Sequence, residues 1–83
     1  MLTVDARIED FILSSFLFGD AERMPSRTES LLETGVIDST GVLELIEFLE
    51  SEFGLQVLDD ESVPENLDSI DNLARFVAAK TRA

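Results

Sequence analysis

Gly35-Val36-Ile37-Asp38-Ser39-Thr40-Gly41-Val42-Leu43-Glu44-Leu45-Ile46-Glu47-Phe48-Leu49-Glu50-Ser51-Glu52-Phe53-Gly54 is the stretch that decides the fold. Within it Val42, Leu45, Ile46, Leu49 and Phe53 recur at the i, i+3, i+4, i+7, i+11 spacing of one helical face. The spacing predicts a helix from Ser39 to Phe53, about 22 Å long at ~1.5 Å per residue. Gly35 suits a left-handed turn before this helix, and Gly54 closes it. Glu44, Glu47, Glu50 and Glu52 lie mainly off the apolar stripe, and the segment holds no basic residue to pair with them at i+3 or i+4. Like charges at that spacing cost a few tenths of a kcal/mol per pair. The acidic face is therefore not optimised for the isolated helix. A solvated face is the ordinary explanation; a docking surface for basic partners is the sharper one, and the better supported here.

Upstream, a first helix is expected from Thr3 to Phe18, with Thr3 as N-cap, Asp5 at its positive end and Gly19 as its stop. Val4, Ile8, Phe11, Ile12 and Ser15 trace one face, and Leu13, Phe16, Leu17 and Phe18 widen the apolar stripe. From Gly19 to Asp38 the residues are loop formers, except for Leu31, Leu32, Val36 and Ile37, which are expected to tuck under the helices. Downstream, Leu55 to Leu58 reads as an extended connection and Asp60 to Asn66 as one short helical turn around Pro64. A last helix is expected from Ser69 to Lys80, capped by Asp68 or Ser69. Its core face is Ile70, Leu73, Ala74 and Val77, with Lys80 and Arg82 at the negative end. The chain has no internal repeat, low-complexity tract or linker. The expectation is one all-α domain over residues 1–83, a bundle of three main helices and a short one with a long first loop.

Composition removes whole classes of function. There is no histidine and no cysteine among the 83 residues. That excludes a Ser-His-Asp triad, thiolate nucleophiles, disulfides and most transition-metal sites. Calcium binding is weakly supported, because Asp59-Asp60-Glu61 lacks the alternating oxygen ligands and central glycine of a calcium loop. Six basic residues against eighteen acidic ones give a net charge of −12. Such a field repels nucleic acid and anionic membranes and draws basic protein surfaces. Yet 45% of the residues are hydrophobic, too many for a disordered acidic tail. No segment approaches membrane-spanning length and the N-terminus lacks the pattern of a signal peptide. A soluble, cytoplasmic, monomeric acidic domain is expected, with no catalytic residue and no metal of its own.

Ser39 is the residue whose chemistry matters. As a nucleophile it would need a base, and the chain offers neither a histidine nor a serine–lysine constellation. A different enzyme can still modify it. A phosphodiester on its oxygen would sit at a helix N-terminus, where free N–H groups and the helix dipole favour negative charge. The competing reading is that Asp38 or Ser39 merely caps the helix, the commonest job for either residue there.

Asp38-Ser39, preceded by Gly35-Val36-Ile37 and followed by Val42-Leu43-Glu44-Leu45, resembles the phosphopantetheine attachment motif of the acyl carrier protein family. The resemblance continues through Leu49-Glu50-Ser51-Glu52-Phe53-Gly54 and covers nearly the whole chain. The start at Met1 without a linker looks like a free-standing carrier. The resemblance implies an acyl-carrier-like four-helix bundle that is loaded by a phosphopantetheinyl transferase using coenzyme A and magnesium. It also implies that Ser39 bears the 4'-phosphopantetheine arm, which holds an acyl or aminoacyl group as a thioester. Asp38 would help engage the transferase. Thr40, Leu43, Glu44, Glu47 and Glu50 would meet partners: a loading ligase and downstream transferases or synthases.

The sequence departs from the family pattern at Thr40, where a leucine is usual, at Gly41, and at Glu47, which tends to be apolar in fatty-acid carriers. A specialised pathway with a short acyl or amino acid cargo is therefore expected in place of general fatty acid synthesis. Phe11, Phe16, Phe48, Leu43 and Phe76 are candidates to line a cargo space, and ordinary packing explains them equally well. The alternative function is an acidic interaction or inhibitor module in which Ser39 is only a cap.

Overall fold

The computed structural model describes residues 3–81. Four α-helices follow in order: α1 (Val4–Ser15), α2 (Ser39–Phe53), α3 (Pro64–Leu67) and α4 (Ile70–Thr81). Single 3-10 turns stand at Ala21–Arg23 and Asp59–Glu61, and no strand occurs among the described residues. None of these helices is long and apolar enough to cross a membrane.

Local chemistry sets the helix ends. The Thr3 hydroxyl accepts the Ala6 N–H at 3.1 Å, so the expected cap opens α1. Gly54, at φ +65°, closes α2 in the left-handed conformation, its N–H donating to the Glu50 carbonyl at 3.1 Å. Pro64 stands at the first position of α3, where its missing N–H costs nothing. Of the two candidates for capping α4, Ser69 does the work, accepting the Asn72 N–H at 3.0 Å. The region expected to form one turn around Pro64 forms two, Asp59–Glu61 and α3, because proline cannot continue a helix begun before it. Leu55–Leu58 is an extended connection, as its lack of a pairing partner suggested. The placement of Arg82 lies outside the described residues.

α4 is the helix on which the other three pack. Its Ile70, Leu73, Phe76 and Val77 are buried against Ile8 and Ile12 of α1, Leu45 and Leu49 of α2 and Leu67 of α3. α1 and α2 run antiparallel and meet along a seam of rings. Phe16 lies against Gly41, Phe11 stacks on Phe48 with centroids 4.1 Å apart and planes 11° apart, and Arg7 pairs with Glu52 at 3.4 Å. Edge-on contacts from Phe16 to Phe11 and from Phe53 to Phe48 extend the seam. The rings expected as possible cargo lining are thus largely spent on one another.

α1 is shorter than its apolar pattern suggested. It ends at Ser15, and a wide turn follows, closed by Leu17 N–H to the Ile12 carbonyl (3.2 Å) and Gly19 N–H to the Leu13 carbonyl (2.9 Å). Gly19 takes a left-handed φ of +86°, but so does Phe18 before it, at +53°. That turn sends Leu17 into the core and Phe18 into solvent, where it is 86% exposed. Phe18 is therefore not on the α1 stripe.

Leu31 and Ile37 of the long loop are buried and Val36 half-buried, as expected, whereas Leu32 is 41% exposed. The difference follows from how the loop is held. Leu31 N–H donates to the Asp68 carbonyl (2.7 Å) and Leu32 N–H to Asp68 Oδ1 (2.9 Å), while the Ser30 hydroxyl donates to Asp68 Oδ2. With both backbone amides directed at Asp68, the two successive side chains diverge and only Leu31 enters the core. Arg27 ties the same loop to α1 and α4 through Asp5, Glu9 (3.8 Å) and Asp71 (3.6 Å), and its carbonyl accepts the Asp71 N–H at 2.9 Å. The hydrogen bond to Asp5 leads in pushing the Arg27 guanidinium above its already high ordinary pKa, against partial desolvation.

Candidate functional site

The loop–helix junction at Asp38 and Ser39 resolves the ambiguity over which residue caps α2. Asp38 is the N-cap: its backbone is extended (φ −102°, ψ −179°) and its Oδ1 accepts the Gly41 N–H at 2.7 Å. Ser39 is the first residue inside the helix. Its side chain is exposed, and its hydroxyl has no hydrogen-bond partner among the described residues. The cap is thus Asp38 and not Ser39, one of the two outcomes that the capping reading allowed. What remains is an exposed, unengaged hydroxyl at the first helical position, next to Ser39 and Thr40 N–H groups that have no acceptor among the described residues.

Gly35 supplies the turn that leads the chain into this junction, with φ at +78°. The buried Ile37 then anchors the chain one residue before the cap.

Gly41 is buried, and the reason was not visible in the helical pattern. A Cβ there would lie 2.9 Å from Cε1 of Phe16, 3.2 Å from Cγ2 of Ile37 and 3.3 Å from Oδ1 of Asp38. The glycine admits the end of α1 against the start of α2. Packing against Phe16 and Ile37 accounts for a glycine at this position. The signal available in the sequence was the phenylalanine at 16, but nothing short of the fold pairs it with residue 41.

Opposite the buried face, Thr40, Leu43, Glu44 and Glu47 follow the i, i+3, i+4, i+7 series and form one exposed strip beside Ser39. Leu43 is 63% exposed, although leucine is ordinarily a core residue. Neither Glu44 nor Glu47 has an ion pair among the described residues. Glu50 does not join them. It is half-buried, and its Oε2 accepts the Val57 N–H at 2.9 Å, holding the connection after α2. This carboxylate is engaged inside the protein, which corrects its expected place on a free docking strip. Glu52 likewise faces Arg7 of α1.

On the other flank of α2 a cavity of about 140 Å³ opens between the long loop, α2 and α3. Its walls include Leu31, Ile37, Val42, Leu45, Val63 and Leu67, so it is aliphatic. None of the five residues considered for a cargo space lines it, but Phe11 and Phe48 border a wider, open cavity of about 740 Å³ together with Arg7, Asp10 and Glu52. Val42 lies one turn from Ser39, which sets the cavity near the same end of the helix.

No protein-family model matches the chain, and no curated protein is similar enough to it to count as a relative.

Proposed function

We propose that this protein is a carrier of the acyl carrier type, in which Ser39 bears a 4'-phosphopantetheine arm. The observation that carries the reading is the division of labour at the α2 N-terminus, where Asp38 caps the helix and Ser39 presents an unengaged, exposed hydroxyl. A transferase would supply the base that takes the hydroxyl proton. The Ser39 oxygen attacks the phosphorus of the pantetheine side of coenzyme A, the pyrophosphate link breaks, and the nucleotide leaves. The free Ser39 and Thr40 amides at the start of α2 would favour the negative charge of the new phosphodiester. The exposed Asp38 carboxylate keeps Oδ2 available for the transferase's magnesium. The arm supplies the thiol that a chain without cysteine lacks, and its flexible tether holds the thioester cargo at high effective concentration beside a docked enzyme.

The strip of Thr40, Leu43, Glu44 and Glu47 supports a partner face for basic enzymes: the transferase, a loading ligase and downstream transferases or synthases. An apolar cavity of about 150 Å³ accepts a benzene-sized molecule in a designed case. The cavity beside Val42 is of that order, which favours a short acyl cargo and a specialised pathway.

The test is to incubate the protein with coenzyme A, magnesium and a broad-specificity phosphopantetheinyl transferase and to measure intact mass. A single pantetheinyl addition to wild type, absent from Ser39→Ala, is the expected result. Failure with several transferases would leave the acidic interaction module as the better account.

A further inference from the structure

Phe18 combines two features that each work against the isolated chain. Its ring is 86% exposed, the most of any large apolar side chain described, and its φ of +53° is left-handed. A phenyl ring in water forgoes the free energy of burial. A left-handed backbone opposes any residue with a Cβ, and glycine would make the same turn without strain. Among the described residues the seam of rings is formed by Phe11, Phe16, Phe48 and Phe53, without Phe18. Breaches of local rules concentrate at functional sites, which directs attention to a contact outside the chain.

The fold says where that outside contact lies. Phe16 touches the Gly41 position, so the turn after α1 stands at the Ser39 end of the bundle. Phe18 is two residues beyond Phe16, and Ser39 two residues before Gly41. A standard interface covers about 800 Å² of each partner, a patch about 30 Å across, wide enough to take in both. An enzyme that modifies the Ser39 hydroxyl must press its active site on this end. In the sequence Phe18 is followed by Asp20, Glu22 and Arg23, and Ser39 stands with Asp38, Glu44 and Glu47, on a chain of net charge −12. We infer that Phe18 is an aromatic docking anchor for the enzyme that modifies Ser39, seated in an apolar pocket rimmed by lysine and arginine. Buried aromatic anchors of this kind dominate many interfaces. The inference rests on the carrier reading.

The experiment measures KM and kcat for pantetheinyl transfer by a broad-specificity transferase to wild type, Phe18→Gly and Phe18→Trp, with the melting temperature of each. Phe18→Gly is expected to raise KM for the protein about tenfold or more with kcat little changed, the signature of lost binding. Its melting temperature should rise by a few degrees as the strain is removed. Phe18→Trp should keep KM within about threefold of wild type. Equal KM for wild type and Phe18→Gly overturns the anchor and leaves the carrier reading standing. So does a fall in the melting temperature of Phe18→Gly, which would mean that the ring packs internally. A wild-type dimer that Phe18→Gly converts to monomer also overturns it, in favour of a second copy covering the ring. No transfer to wild type at all overturns the carrier reading, and the anchor with it.

Discussion

Along the α1–α2 seam the contacts are mainly rings, with one ion pair between Arg7 and Glu52, whereas the connection from Phe16 to Asp38 is held largely by carboxylates and backbone amides. Both regions converge on the start of α2. The seam reaches it through Phe16 against Gly41, and the loop through the buried Ile37, whose N–H donates to the Leu31 carbonyl at 3.1 Å. The seam is held by many dispersion contacts that are individually small. The loop is held by a few directional bonds to Asp68. The position of the Ser39 hydroxyl therefore depends on two supports that should fail in different ways.

Removing the Asp68 carboxylate is the most severe way to test that difference. Asp68→Ala leaves the Leu31–Asp68 backbone bond but takes the acceptors from the Ser30 hydroxyl and the Leu32 N–H. Bonds to charged groups contribute about 1.5–3 kcal/mol each at most, and the loop is partly open to water, so a loss of about 2 kcal/mol is expected in urea denaturation. Proteolysis within the loop should increase as well. A smaller loss is expected when the seam is crowded. Gly41→Ala pushes a methyl against Phe16, which costs about 1–3 kcal/mol in a tight core, while better helix propensity returns up to ~1 kcal/mol. A net loss of about 1 kcal/mol follows. If Gly41→Ala proved the more damaging of the two, the ranking of the supports would be reversed.

The smallest effect concerns a polar support at the other end of the chain. Lys80 donates to Glu61 Oε1 at 2.8 Å, and the Leu58 N–H donates to the same oxygen at 3.0 Å. The Lys80 bond first, then the Leu58 amide, hold the Glu61 carboxyl below its ordinary pKa of about 4.5. A group whose pKa is lowered by folding contributes stability above its unfolded value and loses it as pH falls through the folded one. The melting temperature of Glu61→Gln should thus lie below that of wild type at pH 7, and the gap should close as pH drops below about 4. A gap that stayed constant with pH would assign the contribution to packing.

The same contrast explains what could be read from the sequence. Apolar periodicity gives α2 and α4 to within a residue or two, and with them Leu45, Leu49, Leu73 and Val77, because burial acts through regular spacing. Thr3, Gly35 and Gly54 are legible because cap and turn chemistry is local. The Asp68 contacts are not, since a carboxylate before a helix looks like a cap and its partners stand 36 and 38 residues away. Leu32 is turned outward by an amide bonded to a residue 36 positions away, and Glu50 is drawn in by the Val57 amide only 7 positions on, just past the end of α2. At the candidate site, helical spacing accounts for the exposure of Ser39, Thr40, Leu43, Glu44 and Glu47, while the roles expected of them came from the family resemblance. The choice of Asp38 over Ser39 as cap needed the backbone angles of the junction.

The Asp68 bonds also impose an order in time. Synthesis proceeds from the N-terminus at about 5–20 residues per second. Ser30 and Leu32 emerge 38 and 36 residues, about two to eight seconds, before the one side chain that fixes them. Until Asp68 and the face of α4 arrive, α1 and α2 have rings to offer each other but no shared floor, and the segment carrying Ser39 has no fixed place. A modifying enzyme that recognises the folded junction would then ignore nascent chains, and the hydroxyl would become a substrate only when the last helix has been made.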